Sequence, residues 1–277
     1  MDTPEKKVIV LIKHGLYSPF IELAQIAQGE TFLKENHGDN IKVIHYYGIP
    51  VRPAIQKIDA LHEKLRWLNR TTNIFLRGFD YVLLVPFMLY IPKVTPSKIL
   101  NLPDEEFQCL VPDTLPTLRW KQLAIYRHIL ENYDFDFVFD TNVSSYIDFK
   151  NLQAMISNLS DDYLYAGNIP FGNFVSGANR IFNRKTLLLL VQKRIHWNPG
   201  YLEDLGIGKV MSRFGVAITV TDSHSIPHPE NLEELSFKVL QKNYHFRVKC
   251  QADGRRLDAQ TMKGLHERFK QFRAHQD

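Results

Sequence analysis

Cysteine is scarce in this chain: 277 residues hold two, Cys109 and Cys250, far apart. A secreted framework stapled by disulfides needs more, so the pair reads as two buried thiols in a reducing compartment. Long apolar runs are also missing. The most apolar internal stretch, residues 79–91, is interrupted by Pro86 and bounded by Pro92. It falls short of the ~20 residues that a membrane-spanning helix takes. The opening residues Met1 to Lys7 lead directly into an apolar strand, without the basic flank, long apolar stretch and cleavage site of a signal peptide. The expected location is therefore cytoplasmic. There is no internal repeat and no low-complexity linker. Charge is not one-sided either: 34 Lys and Arg stand against 30 Asp and Glu, a net +4. That lacks the dense basic stripe of a nucleic-acid binder, so no nucleic-acid partner is expected. A mild excess suits a small phosphate-bearing ligand.

What is present is an ordinary globular composition, 44% apolar and 23% charged, enough for a sizeable core. The run from Val8 to Ile12 is apolar and β-branched, the pattern of a strand buried on both faces. Further strands are predicted over 41–47, 80–85, 135–139, 163–166, 216–220 and 244–249. Helical spacing of apolar residues predicts helices over 20–33, 55–68, 117–132, 149–159, 187–194, 202–214 and 257–272. The proline-rich stretch 86–116 reads as loop with short elements. Strands alternating with helices over the first half argue for an α/β fold built on a mostly parallel mixed sheet. One domain over 1–277 is expected.

In sheets of this kind ligands sit outside the carboxyl ends of the strands. Two places then stand out, the turn from Lys13 to Gly15 and the triplet Asp140-Thr141-Asn142. Residues i and i+2 of an extended segment point the same way, so Asp140 and Asn142 can present two oxygens to one hard cation or one ribose. Both residue types also simply favour turns. Ser176-Gly177-Ala178 has small side chains that let a backbone approach a ring closely; a glycine bend in a strand looks the same. Glu203-Asp204 opens a helix, where the dipole favours acids and where a fixed carboxylate can serve as a general base. Over 244–249, alternation puts His245, Arg247 and Lys249 on one face. As the solvated face of an edge strand it needs no function; otherwise His245 suits a metal and the two cations suit phosphate.

The order of these segments is more specific than any one of them. A Leu118-Arg119-Trp120-Lys121-Gln122-Leu123-Ala124 helix leads to the strand and its triplet. The stretch Thr141-Asn142-Val143-Ser144-Ser145-Tyr146 follows, then Ser-Gly-Ala, the Glu-Asp helix and a late His. Over residues 118–262 this order resembles GT-A-fold glycosyltransferases of the fringe and β-1,3-galactosyltransferase kind, and still more their bacterial and viral relatives.

The resemblance implies a Rossmann-type three-layer α/β sandwich with a nucleotide-binding half over 1–140 and an acceptor-binding half over 141–277. It implies a nucleotide-sugar donor, of the UDP kind, and a glycan or lipid-linked glycan acceptor. By position it implies Asp140 and Asn142 as the metal and nucleotide triplet, with a divalent cation (manganese or magnesium). His245 would close the metal site, with His224 and His228 as alternatives. Ser176, Gly177 and Ala178 would line the donor sugar, and Asp204, after Glu203, would be the base of an inverting transfer. His14, Gly15 and Lys121 are expected on the nucleotide, and Arg247 and Lys249 on the diphosphate. The sequence has Asn142 where the family pattern has an acid, and a neutral amide attracts a cation less than a carboxylate does.

Two other classes fit less of the sequence. A sugar-nucleotide nucleotidyltransferase usually opens on a Gly-rich phosphate loop, whereas the segment from Lys13 to Pro19 holds one glycine. A degenerate, non-catalytic sugar-binding protein is suggested by Asn142. Finally, Met262, Leu265, Phe269 and Phe272 form an apolar stripe flanked by Lys263, Arg268, Lys270 and Arg273. Such a helix fits peripheral contact with an anionic membrane, or packing on the core.

Overall fold

With no polar face between Val8 and Ile12, the first strand must be covered on both sides. The computed structural model describes residues 5–50, 89–114, 117–198, 201–252 and 255–275. The helix expected over 55–68 and the strand expected over 80–85 lie outside the described residues. In chain order the strands are β1 (Val8–Lys13), β2 (Ile41–Ile49), β3 (Val94–Ser97), β4 (Glu105–Pro112), β5 (Phe137–Asn142), β6 (Ser145–Ile147), β7 (Tyr165–Gly167), β8 (Asn179–Asn183), β9 (Ile218–Val220), β10 (His224–Ile226), β11 (His245–Val248), β12 (Gln251–Ala252) and β13 (Arg255–Arg256). The helices are α1 (Phe20–Glu22, continuing as a π-helical stretch over Leu23–Gln28), α2 (Leu118–Asn132), α3 (Phe149–Ser157), α4 (Arg184–Gln192), α5 (Glu203–Arg213), α6 (Phe237–Lys242) and α7 (Asp258–Ala274).

Eight strands form one sheet in the order β3-β4-β2-β1-β5-β8-β7-β9. The neighbours β4, β2, β1 and β5 run parallel, as do β7 and β9. Strand β3 is antiparallel to β4, and β8 to both β5 and β7. The fold is thus α/β with a mixed, mostly parallel sheet, and that sheet takes strands from both sides of residue 140. A second sheet, β10-β11-β6, stands beside it.

The alternation of β1 and β5 divides the interior in two. Val8, Val10, Ile12, Phe137 and Phe139 face a core shared with Ala24 and Ala27 of the first helical segment and Leu265 and Phe269 of α7. Ile9, Leu11 and Val138 face a second core, filled by Leu123, Tyr126 and Ile129 of α2, Leu187 of α4 and Ile207 and Val210 of α5. This makes three layers. Helix starts are set locally: Asp148 accepts a hydrogen bond from Asn151 N (2.8 Å) at α3, and Asn183 accepts one from Thr186 N (3.0 Å) at α4.

Several elements differ from the sequence expectation. The stretch expected as loop with short elements carries the short β3 and the eight-residue β4. Its alternation is hidden because Glu106, nearly unexposed, points inward and accepts from Leu102 N (2.7 Å), Leu100 N (2.9 Å) and Tyr47 Oη (2.8 Å). Strand β8 is polar in sequence yet buried throughout. The triplet from Asp140 to Asn142 ends β5 rather than following it. And β11 is the middle strand of its sheet, not an edge, so His245 is buried while Lys249 is exposed.

The α7 stripe is core. Met262, Leu265 and Phe269 have no exposed surface and Phe272 has 9%. Phe269 stacks on Tyr146 at 5.3 Å and meets Phe246 edge-on at 5.4 Å. These side chains are occupied by protein and cannot face a lipid surface. Among the described residues no helix is long and apolar enough to cross a membrane. Phe269→Ala should therefore cost about 3–5 kcal/mol, the usual cost of emptying a buried aromatic site, read as a lower urea midpoint at unchanged slope.

Candidate functional site at the carboxyl ends of β1 and β5

Parallel pairing of β1 with β5 sets Lys13 beside Asn142 and Leu11 beside Asp140. Antiparallel pairing of β5 with β8 sets Asp140 opposite Arg180. Both Asp140 and Arg180 are without solvent exposure. The Asp140 carboxylate accepts from Tyr46 Oη (3.0 Å) at Oδ1. At Oδ2 it accepts from Tyr126 Oη (2.5 Å), Gln122 Nε2 (3.2 Å) and Arg180 Nη2 (2.9 Å). Arg180 Nη2 also donates to Glu203 Oε1 (3.0 Å), on which Lys13 Nζ (3.0 Å) and Gln122 Nε2 (2.9 Å) converge. Strands β1, β2, β5 and β8, helix α2 and the start of α5 are thereby joined through one buried network.

The network separates the two acids of α5. Burial opposes ionisation of Glu203, but Lys13 and Arg180 outweigh it and hold the carboxyl well below the usual range. Asp204 is raised from its ordinary value by burial and by the charge of Glu203, which exceed the pull of Arg180, the Leu205 N–H and Lys13. Two cations meet two carboxylates here, and Asp204 is a third acid. Its Oδ1 accepts only a local bond, from Leu205 N at 2.9 Å.

Ser176-Gly177-Ala178 packs directly on this helix start. A Cβ at Gly177 would lie 2.7 Å from Glu203 Oε1, so glycine permits the approach. Thr141 Oγ1 donates to Ala178 O at 2.5 Å, tying the segment to β5. The structure therefore gathers Asp140, Ser176, Gly177, Ala178, Glu203 and Asp204 in one place. It adds Lys13, Tyr46, Gln122, Tyr126 and Arg180, which the sequence reading did not single out. Lys13 lay in the turn marked for search. Arg180 carried no signal of its own, because its role follows from its register with Asp140.

The remaining expected residues make other contacts and do not join this network. Lys121 is buried and donates to Asp113 Oδ1 (2.5 Å) and His14 O (2.9 Å), which pins the turn after β1. His14 Nε2 and His45 Nδ1 share a hydrogen bond of 2.8 Å. Burial, then the charges of His45 and Lys121, keeps His14 neutral well below pH 6.5. At Gly15 a Cβ would come within 2.8 Å of the Tyr17 ring. Arg247 donates to Asn142 Oδ1. Lys249 is exposed.

The set Asp140, Asn142 and His245 does not fit a divalent cation. Both oxygens of Asp140 are taken by donors, one of them a guanidinium. The Asn142 amide oxygen receives Arg247 and Ser144 N (3.1 Å). His245 spends both ring nitrogens on Ser145 Oγ (2.9 Å) and Ser223 Oγ (2.7 Å). It packs against Phe139, whose ring faces the opposite side of β5 from Asp140. Among the described residues, no three His, Cys, Asp or Glu side chains come together in a way that would hold a metal ion.

No family model matches the sequence, and no curated protein matches it. Solved structures that resemble it in outline include the glycosyltransferase GlyE of Streptococcus pneumoniae TIGR4. That structure is 10% identical with a TM-score of 0.45, over 96% of this chain and 60% of that one. Its apo form is 12% identical with a TM-score of 0.43 over the same shares. Mouse xyloside xylosyltransferase 1, in its apo form, is 7% identical with a TM-score of 0.40, over 87% of this chain and 97% of that one. The chain thus spans 60% of the GlyE chains. At TM-scores below 0.5 these likenesses carry no argument, and the fold rests on the strand order given above.

Two outcomes are expected from the network. Arg180→Gln leaves Asp140 and Glu203 buried without their common cation and should cost about 3–5 kcal/mol of stability, measured by denaturation at pH 7. The second concerns His245, whose pKa burial and then the charge of Arg247 hold at about 3, against 6.5 when unexceptional. Between those values the unfolded chain binds a proton that the folded chain does not. The contribution is complete above about pH 6.5 and is lost as pH falls toward 3. In urea titrations from pH 7 to pH 4, His245→Gln should show a shallower loss of stability than the parent.

Proposed function

We propose that this protein is an inverting glycosyltransferase, moving a sugar from a nucleotide-sugar donor to a hydroxyl of a glycan acceptor. The observation that carries the reading is the contrast between adjacent acids at the start of α5. Glu203 is held ionised and engaged at Oε1 by Lys13 and Arg180, while Asp204 keeps a raised carboxyl whose hydrogen bond is only local. A pair of carboxyls driven apart in this way is a means of assigning one to structure and the other to proton transfer. The pair adjoins the small-residue Ser176–Ala178 segment, at strand ends where α/β sheets take ligands.

In the proposed reaction the acceptor oxygen bonds to the anomeric carbon as the bond from that carbon to the phosphate oxygen breaks. The acceptor proton passes to Asp204, and the nucleoside diphosphate leaves with the bonding electrons. A carboxylate with a raised pKa accepts that proton more readily than an ordinary one. The motif order supports a UDP-hexose donor and a glycan or lipid-linked acceptor.

Asp204→Asn should lower turnover by about 10²–10⁴-fold, the range for removing a general base, while UDP still raises the melting temperature. The measurement is UDP release from a panel of UDP-sugars with oligosaccharide acceptors. An Asp204→Asn variant with parental turnover would refute the assignment. Pyrophosphate release would indicate a nucleotidyltransferase, and donor binding without any turnover a sugar-binding protein.

A further inference from the structure

Two arginines from separate strands meet the end of β5. Arg247 of β11 donates to Asn142 Oδ1. Arg256 of β13 donates to Ser144 Oγ at 3.0 Å and pairs with Asp258. Asn142 and Ser144 are two residues apart, and Lys13 lies beside Asn142 in the β1–β5 register. Three cations therefore border the carboxyl ends of β1 and β5. Their acids are accounted for. Asp258 serves Arg256 and also accepts from Cys250 N (2.8 Å). Glu203 serves Lys13. Among the described residues, the hydrogen bond of Arg247 goes to a neutral amide.

Two guanidiniums share the one opposite charge of Asp258, and for the partly buried Arg247 that charge does not offset the hydration lost on burial; among the described residues a second opposite charge is lacking. An anion shared by both would supply it. The planar fork of each guanidinium matches a pair of phosphate oxygens. A side chain 25% exposed, that of Arg256, leaves one route of access. Among the described residues no carboxylate set holds a metal there, and Arg180 and three neutral donors occupy Asp140.

We propose that Arg247 and Arg256, with Lys13 adjoining, hold the diphosphate of the donor and stabilise its charge as it leaves, so that protein cations do what a divalent ion would otherwise do. This rests on the nucleotide-sugar reading. It adds Arg256 to the site and makes the transfer independent of metal.

The test is calorimetric titration of the full chain with UDP, with UMP and with uridine, each in EDTA and in manganese. The expected result is UDP affinity that is the same in both, within about threefold. Arg247→Gln and Arg256→Gln should each weaken UDP about tenfold or more, as loss of a charge-assisted bond implies. Uridine affinity should be unchanged, which a general loss of folding would not allow. UDP binding that needs manganese overturns this inference and leaves the glycosyltransferase reading standing. UDP binding that is equally strong in both variants and the parent overturns it as well. If the parent binds no nucleoside diphosphate at all, the nucleotide-sugar reading fails, and this inference with it.

Discussion

Arg180, with no solvent exposure, bridges Asp140 of β5 and Glu203 of α5. Taking three charges out of water costs several kcal/mol per ion, and their attraction repays this only when the remaining donors and acceptors are satisfied. The surroundings are arranged to that end. Tyr46 and Tyr126 cover the Asp140 oxygens, Lys13 and Gln122 cover Glu203, and each comes from an element chosen by apolar packing for other reasons. Apolar burial is non-directional. The charge network is directional, and it fixes how α2 and α5 meet β1, β5 and β8.

The same arrangement decides what chemistry remains. Asp140 is consumed by structure, so it offers little to a cation. Glu203 is consumed by its partners. Outside these pairings, among the described residues, stand Asp204, whose hydrogen bond is local, and Arg247, whose hydrogen bond goes to an amide oxygen. Under the proposed reading, the acid serves as base and the positive charge stabilises an anionic leaving group.

Much of the frame was legible from periodicity. The doubly apolar β1, the long α2 and the apolar stripe of α7 follow from the spacing of large residues, because burial acts on those residues wherever they lie. Strand β4 escaped because Glu106 turns inward to serve two backbone N–H groups and a phenol. Strand β8 escaped because Asn179, Arg180 and Asn183 are polar yet buried. In both, a buried polar residue breaks the alternation that betrays a strand. The site was legible in part: Ser176–Ala178, Glu203 and Asp204 were marked, and the structure brings them to Asp140. His245 was marked as a metal ligand, with the solvated face of an edge strand as the alternative, and is instead a buried link between Ser145 and Ser223.

By itself the sequence determined which segments bury apolar surface and which short polar motifs stand where strands end, since both depend on neighbours along the chain. Only the tertiary structure decided the partners. Register placed Arg180 opposite Asp140, and the α5 start placed Glu203 between Arg180 and Lys13. Whether a carboxylate meets a metal, a guanidinium or a substrate hydroxyl depends on groups distant in sequence, because charge acts through space.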